Sequence, residues 1–224
     1  MICNVVEEMA ATYGKPTDIT VMVSIVNGAE LAKKTWNPRL GIKGGLSVLG
    51  TTGIVRPFSC SAWIASIQRG VDVARATGTT HVAGCTGATS EAAVQAHYNL
   101  PDHAMLDMGD FAGGLLKYLR RHPVARLTIG GGIGKITKLA QGAVDLHSGR
   151  SQVDFSKLAD ITNDARLSKV NTALEAYEIA GKPMADTIAK AALDKVRGLL
   201  RETEICVDII LIDRSGNIIA KASE

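Results

Sequence analysis

The sequence is short of aromatics, of net charge and of paired cysteines, and each shortage removes a class of protein. Aromatic residues make up only 4% of 224 positions, while glycine numbers 23. That balance argues against a β-sandwich and suits an Ala/Gly-rich α/β protein. The four cysteines, Cys3, Cys60, Cys85 and Cys206, are scattered. No C-x-x-C pair exists, so a zinc or iron–sulfur framework is not expected, and their spread fits buried thiols in a reducing compartment. No stretch approaches the roughly 20 apolar residues of a membrane span, and no charged-then-apolar leader opens the chain. A cytosolic protein with no membrane partner is the expectation. A net charge of +3 is too small to suggest a nucleic-acid partner. No G-x-S-x-G elbow is present, which speaks against a serine hydrolase. No histidine stands at metal-ligand spacing from His147, so no metal site is expected.

What is present begins with hydrophobic content of 46% and charged content of 21%, the balance of a globular chain able to bury a large core. Glycine is concentrated between Gly41 and Pro57, in G-I-K-G-G-L-S-V-L-G-T-T-G-I-V-R-P. Glycine lets a backbone approach a ligand closely. Thr51 and Thr52 add hydroxyls between Gly50 and Gly53, and Arg56 adds a planar cation suited to carboxylate or phosphate. The same residues also fit an ordinary tightly packed turn.

Taken in order, Asn4 to Thr12 reads as a helix closed by Gly14. Ile19 to Val26 is a β-branched run and reads as a buried strand. Ala29 to Thr35 forms a helical turn, broken at Asn37-Pro38. Ser59 caps a helix to about Thr77, with Trp63, Ile67, Val71 and Ala74 on one face. Strands are predicted at His81–Cys85, Ala104–Met108 and Arg126–Ile129. The first is followed by the loop Thr86–Glu91 and a helix to about His97, the second by a helix from Asp110 to Arg121. The loop Gly130–Gly134 and a helix to about Gln141 follow the third. Later helices are predicted at Phe155–Asn163, Ala165–Ile179 and Met184–Arg201, with Gly181 and Pro183 as stop and start signals. Ile205–Ile212 and Ile218–Ala222 read as a terminal hairpin. Alternating strands and helices imply a mostly parallel, Rossmann-like sheet with helices on both faces and a C-terminal β-hairpin. The domain reading is an α/β domain over 1–203 and a hairpin over 204–224, packing with a domain outside this chain. Loops after the carboxyl ends of parallel strands gather on one edge, where ligands bind.

Those loops carry three candidate constellations. Gly130 to Lys135 reads G-G-G-I-G-K. The Walker pattern fails because Ile129 and Ile136 occupy its first and last special positions, and the Rossmann pattern fails at Lys135. A G-x-G-x-G run after a strand remains, of the kind that passes a backbone under S-adenosylmethionine. Asp107 stands at a strand end, where a carboxylate could bind ribose hydroxyls or an ammonium. Asp110 reads first as a helix N-cap. Thr86 to Glu91 offers hydroxyls, backbone N–H groups and a carboxylate, although Thr89 or Ser90 could simply cap the helix. Cys85 reads as a buried thiol rather than a nucleophile.

The block from Thr35 to Pro57, T-W-N-P-R-L-G-I-K-G-G-L-S-V-L-G-T-T-G-I-V-R-P, closely resembles the signature of the CbiD family. Three later blocks match in the same order: G-A-T-S-E (Gly87–Glu91), M-G-D-F-A-G-G (Met108–Gly114), and G-G-I-G-K-I-T-K-L-A-Q-G with D-L-H-S (Gly131–Ser148). The likeness runs over nearly the whole chain. CbiD proteins are the cobalt-precorrin-5B C(1)-methyltransferases of cobalamin (vitamin B12) biosynthesis. The resemblance therefore implies methyl transfer from S-adenosylmethionine to ring carbon C1 of a cobalt-precorrin. It also implies a further N-terminal domain ahead of the part represented here, so activity of the chain alone is an open expectation. On this reading the adenosyl side falls to Gly50, Thr51, Thr52, Gly53, Asp107, Gly109, Gly130, Gly132 and Gly134. Arg39, Arg56, Lys135, Lys138 and Arg150 face the carboxylate rim of the macrocycle. His147, with Asp107, is the candidate for handling protons. Two rival readings stay open: a nucleotide-dependent oxidoreductase using the Gly130 loop, and a non-catalytic fragment that binds or carries a corrinoid.

Overall fold

The computed structural model describes residues 1–47 and 59–224. The chain divides into two compact units, Met1–Cys60 and Ser61–Glu224.

In the first unit, helix α1 spans Ile2–Tyr13 and is closed by Gly14 at φ 60°, a left-handed C-cap that glycine adopts freely. Helix α2 is a short piece, Gly28–Ala32, entered through Asn27 at φ 55°. Between them, Ile19–Val26 is not the buried strand its composition suggests. It runs without a sheet partner among the described residues, and Ile19, Val21, Val23 and Ile25 are about half exposed. β-branched composition favours a pleated surface only where another strand supplies the ladder and the packing.

The second unit is built on one five-stranded sheet in the order β2-β1-β3-β4-β5. Helix α3 (Cys60–Ala76) leads through Gly78, at φ 73°, into β1 (His81–Cys85). Helix α4 (Ala88–Tyr98) follows, then β2 (Met105–Leu106), helix α5 (Ala112–Leu119) and β3 (Arg126–Gly132). Helices α6 (Ile133–Ala140), α7 (Phe155–Thr162) and α8 (Ala173–Leu200) precede β4 (Cys206–Ile212) and β5 (Ile218–Ser223). β1 to β4 are mutually parallel, and β5 turns back antiparallel against β4. The hairpin is thus bonded into the sheet, because β4 pairs with β3 from Arg126↔Cys206 to Gly132↔Ile212.

Side chains alternate cleanly between two cores. Val82, Leu127, Ile129, Val207, Ile209 and Leu211 face α3, α5, α6 and α8. Ala83, Cys85, Ile210 and Ile212 face Val94 of α4 on the other side. This is the period of two expected of strands covered on both faces. Each fully buried Leu or Ile contributes roughly 1.5–3 kcal/mol relative to exposure. Gly84 and Gly130 sit where the covering helices come closest. A Cβ on Gly84 would lie 2.6 Å from a Leu115 methyl, and one on Gly130 2.6 Å from Val94.

Three boundaries differ from the sequence reading. Gly130, Gly131 and Gly132 continue β3 instead of forming a loop. Asp110 is not the cap of α5; Phe111 holds that position, and the Asp110 carboxylate turns instead to Lys135. The segment read as one helix over Ala165–Ile179 is a 3-10 turn (Ala165–Lys169), followed by α8, whose first turn is capped by the Thr172 hydroxyl. α8 then breaks at Gly181, φ 62° and ψ −150°, where the sequence signals a stop, and resumes at Pro183.

Candidate functional site

The strand order sets the place of the site. The chain leaves β1 on one side for β2, then crosses to the other side of β1 for β3. Between the carboxyl ends of β1 and β3 the connections part in opposite directions, which leaves a crevice. A cavity of about 640 Å³ lies there, within the range usual for small-molecule sites. Four segments wall it: Thr86–Ser90 after β1, Gly132–Lys135 with Lys138 after β3, Thr172–Leu174 with Tyr177 on α8, and Ile212–Arg214 with Ile219 from the hairpin.

Two helices begin at this cavity with no side-chain cap. α4 starts from Gly87 and α6 from Gly132, and neither receives a capping hydrogen bond at its first turn. Ser90 is spent otherwise, donating its hydroxyl to the Gly87 carbonyl at 2.8 Å. Uncapped first-turn N–H groups and the positive end of the helix dipole suit a carboxylate or phosphate. The third helix that begins here, α8, is capped by Thr172. The cavity therefore combines anion-binding ends, the hydroxyls of Thr86, Thr89 and Thr172, and an apolar side made by Ile133, Leu174, Tyr177, Ile212 and Ile219.

The glycines of the β3 run have different surroundings. A Cβ at Gly130 would strike Val94 and Cys85, and one at Gly131 would come within 2.8 Å of the Thr86 hydroxyl. At Gly132 the nearest atom is the Ile212 carbonyl oxygen at 3.9 Å, and at Gly134 it is the Ala173 methyl at 3.8 Å. Gly130 and Gly131 are closed by protein, whereas Gly132 and Gly134 open on the cavity. Of the described glycines assigned to the adenosyl side, these last two reach it. Gly109, at φ 53°, lies over the Trp63 ring and donates its N–H to the Cys85 carbonyl at 3.0 Å. It holds the end of β2 against the end of β1. Asp107 offers its carbonyl to the Trp63 indole N–H at 2.7 Å. Neither residue lines the cavity. Gly50, Thr51, Thr52, Gly53 and Arg56 lie outside the described residues.

The basic residues also separate. Lys135 forms an ion pair with Asp110 and donates to the Leu146 carbonyl at 3.0 Å. Lys138, one helical turn on, donates to the same carbonyl at 2.9 Å and is only 6% exposed. Burial, and then the positive charge of Lys135, push the Lys138 ammonium below its ordinary range, against the opposing pull of Asp110 and Asp145. Both lysines line the cavity. Arg150 instead forms a bidentate pair with Asp145, at 2.5 and 3.1 Å. Arg39 belongs to the other unit, where it lies 4.2 Å over the Trp36 ring. His147 is exposed, and its Nδ1 accepts the Gly149 N–H at 3.0 Å, which leaves Nε2 to carry the proton in the neutral ring. It is joined to the cavity only through its neighbour, the Leu146 carbonyl that both lysines share.

The cavity residues with polar or aromatic side chains that escaped the sequence reading include Thr172, Tyr177, Asp213 and Arg214. Thr172 had a signal, since T-A-L-E is a capping pattern, and Glu175 indeed returns its carboxylate to the Asn171 N–H at 2.8 Å. Asp213 reads as a turn residue and acts as one, accepting from the Ser215 and Asn217 N–H groups at 2.8 Å each. Cys85 is buried beside Gly130, and burial pushes its thiol up to about 12, so it is inert as a nucleophile at neutral pH.

Fold and site together define an α/β protein with a ligand cavity at the carboxyl edge of its sheet. Two family models match the sequence: CbiD over residues 1–57, and the CbiD C-terminal domain over residues 145–223. Proteins named cobalt-precorrin-5B C(1)-methyltransferase align over 99% of the chain. One from Brucella anthropi is 56% identical over 232 residues, and those from Brucella canis and Brucella abortus are 55% identical. The chain belongs to the CbiD family. It spans 63% of the length of these curated relatives. No solved structure matches it.

Proposed function

We propose that the chain carries the donor-binding part of a corrin-ring methyltransferase. In this reading S-adenosylmethionine occupies the cavity and a methyl group passes to ring carbon C1 of a cobalt-precorrin in cobalamin biosynthesis. The observation that carries the reading is a single cavity, at the switch point of a parallel sheet, where two uncapped helix starts meet an apolar wall and several hydroxyls. The residues fit the donor. Its methionine carboxylate suits the first-turn N–H groups of α4 or α6. Its ribose suits the hydroxyls of Thr86, Thr89 and Thr172, and its adenine suits the Tyr177 and Ile219 side. Gly132 and Gly134 let the backbone run close beneath it. When bound, the donor supplies an activated methyl group with a neutral thioether as leaving group.

The chain's own task is then alignment and the exclusion of water, and alignment alone can lower such a barrier by about 7–11 kcal/mol. A macrocycle fringed with acetate and propionate groups requires cations beside the donor. Lys135 stands at the cavity wall for that purpose, with Arg214 on the hairpin side.

The test has two parts. S-adenosylhomocysteine is titrated calorimetrically into the chain and into Gly132→Val, and methyl transfer to cobalt-precorrin-5B is followed by mass spectrometry. Saturable binding lost in the variant, together with a product heavier by one methylene, supports the reading. Absence of both overturns it. A second reading is a non-catalytic corrinoid-binding fragment. Corrinoid binding without transfer would select it. The oxidoreductase alternative is tested directly by titration with NAD(P).

A further inference from the structure

We propose that Lys138 is the group that accepts the proton released when the ring carbon is methylated. The inference rests on the methyltransferase reading. Two lysines stand one turn apart on α6 and converge on one backbone carbonyl, that of Leu146. Among the described residues, the one carboxylate in ion-pair contact with this pair, Asp110, goes to Lys135. Lys138, the more buried of the two, is left with the shared carbonyl oxygen and a position on the cavity wall. A buried ammonium with one neutral acceptor and a like charge beside it is held in its charged form weakly. A neutral amine satisfies the same geometry: one N–H bonds Leu146, and the lone pair remains unshared. The charged groups acting on it are Lys135 from its own helix, Asp110 from the loop after β2 and Asp145 from the loop after α6. Asp213 and Arg214 stand on the hairpin side of the same cavity.

The reaction needs such a group. The S–CH3 bond breaks with its electron pair left on sulfur, and a C–C bond forms from a π pair of the ring. The positive charge of the sulfonium is thereby moved to the ring. The ring is neutralised when an N–H or C–H proton leaves to the Lys138 nitrogen, which becomes an ammonium and later returns the proton to water. No oxidant or further reactant is required. The exposed His147 does not line the cavity, so it is replaced in this role by a residue that does.

Arginine separates a proton acceptor from a carboxylate clamp, because it keeps the charge and cannot give up its proton. Lys138→Arg and Lys138→Met are therefore compared with the unaltered 224-residue chain in methyl transfer from S-adenosylmethionine to cobalt-precorrin-5B as a function of pH. S-adenosylhomocysteine affinity is measured in parallel. Both variants are expected to lose about 100-fold or more in rate while binding S-adenosylhomocysteine within a few-fold of the unaltered chain. The rising acid limb of the rate profile should disappear with Lys138. Competitive labelling with acetic anhydride across pH, read by peptide mass spectrometry, should show Lys138 becoming reactive at lower pH than the exposed Lys157. A Lys138→Arg variant with undiminished rate, or a Lys138 that labels in step with Lys157, overturns the proton role and leaves the methyltransferase reading standing. No transfer by the unaltered chain overturns both.

Discussion

The two ends of the sheet bury charge in opposite ways. At the amino end of β4, Asp208 is 1% exposed and fully matched. Arg126 reaches it bidentately at 2.6 and 3.0 Å, Tyr98 donates at 2.9 Å and Thr128 at 3.2 Å. At the carboxyl end, Lys138 is nearly as buried and has one shared carbonyl for a partner. The Asp208 carboxylate has no unmet demand, so the cluster holds strands together. The Lys138 cluster adjoins an open cavity, and a ligand can complete it. Within one fold, a buried charge that is closed off reads as structure, and one left short beside a cavity reads as a site.

The contrast can be broken first at its structural end. Replacing Asp208 with Ala strands the Tyr98 and Thr128 hydroxyls and unpairs Arg126, and should cost about 3 kcal/mol of unfolding free energy in urea. The affinity for S-adenosylhomocysteine should not change in the variant while it is folded. The same carboxylate gives a pH signature. Burial alone would raise its pKa, but hydrogen bonds from Arg126, Ser223 and Tyr98 outweigh burial and bring it to about 2. The folded value lies below the unfolded one of about 3.9. Its contribution, about 2 kcal/mol, is therefore present above pH 4 and lost as pH falls through about 2. Asp208→Asn should flatten the stability profile across that window.

The functional end should respond in affinity more than in stability. Gly131→Ala pushes a methyl to within 2.8 Å of the Thr86 hydroxyl. Thr86 is stiff about χ1 and the Ile136 methyl also lies 3.0 Å away, so both must shift; unfolding should weaken by at least about 1 kcal/mol, while ligand affinity falls severalfold as Thr86 moves. Gly130→Ala, one residue earlier, should reverse that pattern, because its methyl meets Val94 and Cys85 in the core. The smallest effect belongs to Thr172→Ala. Loss of its bond to the Glu175 N–H, 3.0 Å long, should cost about 1 kcal/mol, measured as a small shift of the thermal midpoint.

Much of this was legible from punctuation in the sequence. Gly78, Thr86-Gly87 and the Gly181–Pro183 pair mark the element ends that the structure adopts, and the alternation of strand and helix from His81 to Gln141 gave the parallel sheet. The sequence misled where a long-range partner decides. Ile19–Val26 has the composition of a strand but meets no partner strand among the described residues. Gly130–Gly132 has the composition of a loop but is strand, because β4 supplies a full ladder, and at Gly130 α4 packs too closely for a side chain. Asp110 has the position of a cap, yet a lysine 25 residues away outbids the local N–H groups. Thr172 and the hairpin side of the cavity come from distant parts of the chain, and only the folded sheet brings them to the loops after β1 and β3.

The most direct measurement is calorimetric titration of S-adenosylhomocysteine into the unaltered chain and into Gly132→Val. Gly132 sits at φ −71° on the cavity wall, and a Cβ there meets nothing nearer than the Ile212 carbonyl oxygen at 3.9 Å, so valine adds its bulk at the cavity with an unstrained backbone. A saturable one-to-one heat in the first protein, and at least a tenfold weaker one in a variant of unchanged melting temperature, is the predicted result. Equal affinity in the two would mean that the donor does not bind at the carboxyl edge of this sheet.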